Sequence, residues 1–121
     1  MVPPSPLPQF VYKIVSEAPP ESQPEQYPLS QLDKKDGFVH LSVGQQIPHT
    51  AALFFKDAST LWVMKLVLGD ELKEKMNWDI PQCPHLYWNF GAKDVNSVRR
   101  FDRSANTTWD TQGVMDREWL E

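Results

Sequence analysis

Strand-like runs dominate this chain, they do not alternate regularly with helices, and only one stretch carries a clear helical stripe. Those observations predict an α+β domain with a mostly antiparallel sheet rather than a doubly wound one. Residues 1–9 (MVPPSPLPQ) are rich in proline and read as an extended, flexible lead-in. FVYKIVS, residues 10–16, is β-branched and aromatic, hence a strand. Residues 17–28 carry four prolines and exclude a regular element. PLSQLDKKDG leads by a turn into FVHLS, a second strand. Next, Ile47, Ala51, Phe54 and Phe55 recur at helical spacing, with Pro48 suited to a first turn. Ser42 and Gln45 also fit a capping box, which leaves the start of that helix open. TLWVMKLVL, residues 60–68, is apolar on both faces except at Lys65, as a covered central strand would be. GDELKEKMNWD reads as a short helical turn, HLYWNF as a short strand, and DVNSVRRFD as the last strand. The organisation expected is one domain over residues 10–103. A tail, 104–121, should dock through Trp109, Met115, Trp119 and Leu120.

Composition narrows the function classes. The chain has 121 residues, 40% of them hydrophobic, and a formal net charge of −4, which suits one ordinary core. With no basic run, nucleic acid is not an expected partner, because such binding rests on neutralising phosphates. Cys83 is the single cysteine, so no internal disulfide can form and a reducing, cytoplasmic setting is expected. No secretory signal or membrane-spanning run is read, and a small-molecule ligand is the partner class left in view.

The chemistry concentrates in two short stretches. Successive strand side chains point to opposite faces, so Val39 and Leu41 face one way and Phe38, His40 and Ser42 the other. An aromatic ring, an imidazole and a hydroxyl in a row look like a pocket wall. A neutral imidazole can donate at one nitrogen and accept at the other. A core histidine satisfied by a backbone carbonyl stays open on spacing alone. In CPHLYW, His85 and Tyr87 share a face in the same way. Two such faces in one small domain point to a shared site, with His40 and His85 as candidate catalytic residues.

Cys83 with the two histidines offers zinc-type atoms, but paired ligand spacing is missing, so no metal is expected. Cys83 as a nucleophile beside His85 lacks anything to lower its pKa. Lys13, Asp79, Arg99, Arg100 and Arg103 are charged candidates. An anion clamp requires Lys13 or an arginine to point into the pocket of His40.

Together YKIVS, DGFVHLS, IPHTAALFF, LWVMKLVL and PHLYW resemble the family called domain of unknown function 952. The resemblance runs from about Phe10 to Phe101, with Trp88 standing where that family usually has Gly. It implies an ADP-ribosyltransferase-like fold, two small sheets forming a cleft with one main helix. Within that class the strand Gly37–Ser42 is similar to one in RNA 2′-phosphotransferases, except at its first histidine. On this likeness His40 and Ser42 line a cleft that holds NAD or a related nucleotide. Lys13 then stands where those enzymes carry a His-Gly pair, and Asp79 is the nearest candidate for their late glutamate. Phe38 or Tyr87 would stack a flat ring.

Three functions follow as expectations. One is an ADP-ribosyltransferase-like enzyme. Another is a small-molecule enzyme using His40 and His85 for acid/base chemistry on a non-nucleotide substrate. The last is a non-catalytic module that binds a ligand or a partner, with the Trp-rich tail as contact.

Overall fold

The computed structural model describes residues 7–19, 31–78, 80 and 82–120. Most of the proline-rich lead-in and of the 17–28 loop lies outside that set. Strand β1 (Phe10–Val15) precedes helix α1 (Gln31–Asp36) and the very short strand β2 (Val39–His40). Helix α2 (Ile47–Phe54), strand β3 (Thr60–Val67) and helix α3 (Asp70–Glu74) follow. Strands β4 (Met76–Asn77), β5 (His85–Leu86) and β6 (Val95–Asp102) complete the described order. The architecture is α+β, with two three-stranded antiparallel sheets ordered β1-β3-β6 and β2-β5-β4.

β3 is the central strand of the larger sheet, and its double-sided apolar pattern has a direct structural cause. Met64 and Leu66 enter one core with Val11, Val39, Leu41, Leu72 and Leu86. Leu61 and Val63 enter a second core with Tyr12, Ile14, Ile47, Ala51, Phe101 and Trp109. β1 alternates in the same sense, sending Val11 to the first core and Tyr12 and Ile14 to the second. The two sheets join at one bridge, where the Tyr12 amide donates to the Ser42 carbonyl at 2.8 Å. The Ser42 amide donates back to the Tyr12 carbonyl at 2.9 Å.

Local differences from the sequence reading have identifiable reasons. The turn expected in PLSQLDKKDG is helix α1. Its terminator is Gly37, at φ 80°, whose amide donates to the Asp33 carbonyl at 2.9 Å. A glycine in this left-handed conformation ends helices as readily as it makes turns. The Ser42 capping box does not form: a 3₁₀ turn over Gly44–Gln46 precedes α2, and Ser42 is engaged in the bridge. Ile47 and Ala51 are buried as their spacing requires, but Phe54 is 74% exposed. The helix ends there, and Phe55 folds back against the second core instead. Met76–Asn77, read as part of a helical turn, is an edge strand on β5. The strand expected over HLYWNF stops at Leu86.

Beyond β6 the chain packs on the second core. Trp109 is fully buried, and its indole N–H donates to the Phe55 carbonyl at 3.0 Å. The Trp119 carbonyl accepts from the Tyr12 hydroxyl and from Lys65 Nζ, both at 3.1 Å. Arg103 donates to the carbonyls of Thr107 and Lys56, which fixes the start of this segment. Trp109→Ala would remove a large buried ring together with its hydrogen bond. We expect a loss of about 3–5 kcal/mol in urea unfolding. A loss below about 1 kcal/mol would show that the segment contributes little to the core.

Candidate functional site

The site is built on the β2–β5 pairing. Residues directly opposite in an antiparallel pair present side chains on the same face. His40 is the register partner of His85, and Val39 of Leu86. Val39 and Leu86 therefore point into the first core, and the two imidazoles face the other way, 5.8 Å apart between ring centroids. Phe38 stacks on His85 at 4.1 Å and lies 4.7 Å from His40 and 5.3 Å from Tyr87. Phe38, His40 and His85 are half-buried, and Tyr87 is 51% exposed, so the ring cluster opens to solvent at the tyrosine.

Beneath His40 lies a carboxylate that the sequence reading did not single out. Asp33, in α1, is 2% exposed. Its Oδ1 accepts from His40 Nδ1 at 2.6 Å and from the His40 amide at 3.1 Å. Its Oδ2 accepts from the buried Lys13 ammonium at 2.8 Å. Burial pushes the Asp33 carboxyl up. Hydrogen bonds from Lys13 and His40, with the Lys13 charge, outweigh that and hold it below its ordinary value. The other ring nitrogen of His40, Nε2, meets Asp36 Oδ2 at 2.9 Å, and that carboxylate is 36% exposed. Asp33 and Asp36 lie three apart in a helix and so share its face. Read as a helix, LDKKDG would have pointed to them.

The structure brings Phe38, His40, His85 and Tyr87 together and ties Lys13 to them through Asp33. Ser42 lies two residues beyond β2, and its hydroxyl is directed at the Cys83 thiol at 3.9 Å. Asp79 lies outside the described residues. The late arginines are engaged elsewhere: Arg99 with Asp116, Arg100 with Asp102, and Arg103 with backbone carbonyls. An open groove of about 540 Å³ runs along β6 and Gln112–Glu118, and it shares no residue with the ring cluster. Among the described residues no group of three or more His, Cys, Asp or Glu is placed to hold a metal ion. No described helix is long and apolar enough to cross a membrane.

Two antiparallel sheets bridged at Tyr12 and Ser42, with a paired-histidine face on the smaller one, define a small α+β protein. The chain belongs to the family described as "Protein of unknown function (DUF952)", whose model matches residues 16–98. That span holds the whole ring cluster and Asp33, but neither Lys13 nor the C-terminal segment. The chain is similar to the crystal structure of protein CC0527 from Caulobacter crescentus, with TM-score 0.67 and 28% identity. The likeness covers 82% of this chain and 91% of that one. A double mutant of the same protein gives TM-score 0.66 and 27% identity, over 82% and 91% of the two chains. Its solution NMR structure, at TM-score 0.64 and 24% identity over 83% and 90%, is a likeness of fold. No curated protein matches the chain.

Asp33→Asn would leave the Lys13 ammonium buried without its counter-charge, at a cost of about 3 kcal/mol. The folded-state value of Asp33 is depressed, so its contribution is complete above the unfolded value, about pH 4, and fades as pH falls through the folded one. Urea melts should therefore show the wild type well above the variant at neutral pH and converging with it in acid. A gap independent of pH would mean that the charge of Asp33 does not matter.

Proposed function

We propose that the protein binds a small molecule at the ring cluster and exchanges a proton with it through Nε2 of His40. One observation carries this reading: the two ring nitrogens of His40 have unequal partners. An ionised carboxylate only accepts hydrogen bonds. Asp33 already takes donors from Lys13 and from the His40 amide, so Nδ1 must carry a proton toward it. A histidine held in that tautomer by a buried carboxylate has a defined working nitrogen. When Nε2 is bare it is a base. When it is protonated it is an acid, and donation breaks the Nε2–H bond and leaves a neutral ring with Nδ1–H intact. Lys13 acts through Asp33 as a positioning residue. His85 stands across from His40 as the second acid/base candidate, and Phe38 with Tyr87 supplies a stacking surface for a flat ring.

A second reading is an ADP-ribosyltransferase-like enzyme that takes NAD or a related nucleotide. The sequence of the Gly37–Ser42 segment supports it, because His40 and Ser42 would then line the nucleotide cleft.

With three histidines in the chain, long-range ¹H–¹⁵N spectra can be assigned with His40→Ala and His85→Ala. Where the spectra show the His40 ring in its neutral form, we expect the Nδ1–H tautomer. The Nε2–H tautomer would end the proton-exchange reading. Millimolar NAD should raise the melting temperature of the wild type and not of His40→Ala if the nucleotide reading holds. A flat response of the wild type removes NAD and leaves the tautomer test untouched.

A further inference from the structure

We infer that Asp36 is a displaceable cap on the working nitrogen of His40, and that the ligand presents one anionic oxygen that takes its place. The inference rests on the reading above and adds a ligand class to it. The contrast between the two carboxylates is the starting point. Asp33 is sealed and bonded to both Lys13 and His40, whereas Asp36 is exposed and its contact with His40 Nε2 is at the surface. Asp36 is also the last residue of α1, where a carboxylate gains nothing from the negative end of the helix. The Lys34 and Lys35 of that turn are the residues which suit such an end. The position of Asp36 thus answers to the imidazole rather than to the helix.

Its contact is a hydrogen bond only while Nε2 carries a proton. Against a bare nitrogen, lone pair would face carboxylate. Once Asp36 swings into water, Lys13, Asp33 and the doubly protonated His40 together hold one net positive charge facing the ring cluster. One anionic oxygen, from a carboxylate or from a phosphate, restores the balance that Asp36 provides. It would sit about 2.9 Å from Nε2, where Asp36 Oδ2 sits now.

The test titrates acetate and inorganic phosphate separately into the wild type, Asp36→Ala and Asp36→Asn at about pH 6, following the His40 ring signals. Removing an exposed intramolecular competitor should tighten binding of one of the two probes about three- to fivefold in both variants. Tightening of acetate assigns a carboxylate ligand, and tightening of phosphate a phosphate ligand. Asp70→Asn removes an equally negative but remote, fully exposed side chain and controls for net charge. In a His40→Gln background, followed through the neighbouring His85 ring signals, the Asp36 variants should show no gain. Unchanged affinity in both Asp36 variants, or an equal gain in Asp70→Asn, overturns the cap. Either can occur while His40 keeps its Nδ1–H tautomer, so the two readings fail separately.

Discussion

The shared carboxylate of Asp33 is the contact on which the site depends. Taking a carboxylate and an ammonium out of water costs several kcal/mol for each ion. That cost is tolerable only if the remaining lone pairs and protons find partners with good geometry. Asp33 meets the condition with donors from two other segments, the Lys13 ammonium of β1 and both the ring and the amide of His40 on β2. The ion pair therefore also works as a register device, since α1 cannot shift along β2 without orphaning a buried charge. The ring of His40 inherits its orientation from this arrangement, and the stack of Phe38 on His85 closes the other side.

β1 connects that contact to the rest of the molecule through residues adjacent in sequence. Lys13 faces the first core and Asp33. Tyr12, one residue earlier and on the opposite face, donates its hydroxyl to the Trp119 carbonyl. The Tyr12 backbone forms the bridge to Ser42, at the end of the segment that carries His40. The C-terminal segment, the larger sheet and the histidine face thus meet within two residues of one strand. Lys65 illustrates the same economy of burial. Its ammonium is buried in the central strand, lies 4.4 Å from the Phe10 ring centroid and donates to the same Trp119 carbonyl.

Much of this was legible in the residues, for reasons that can be stated. The strands of the larger sheet announce themselves because β-branched and aromatic runs fit few other conformations. The two faces of FVHLS and CPHLYW follow from strict alternation, and so the membership of the ring cluster was readable from spacing. What pairs those faces is tertiary: β2 and β5 each have two residues, too short to be seen as partners before the chain is folded. Asp33 and Asp36 were missed because a six-residue helix ending in Gly37 looks, in sequence, like a polar turn. In sequence Lys13 looks like a cation available to a ligand, yet its charge is directed at Asp33. Phe54 shows the opposite error, an apolar residue in good helical register whose helix ends before it can be covered.

Charge near the histidines also separates the two classes of ligand. A dinucleotide carries a diphosphate, and side-chain recognition of phosphates rests on Arg or Lys. Here Lys13 is held by Asp33, and the three late arginines pair with Asp116, Asp102 and backbone carbonyls. The residues outside the described set add no Lys or Arg: 20–30 supply Glu21 and Glu25, and position 79 is an aspartate. Within the ring cluster itself positive charge can come only from the imidazoles of His40 and His85, and on His40 it faces a ligand once Asp36 has moved away. A ligand with one anionic oxygen beside a flat, otherwise uncharged body matches that supply. A diphosphate would need a second donor beside His40, from the His85 ring or from backbone amides.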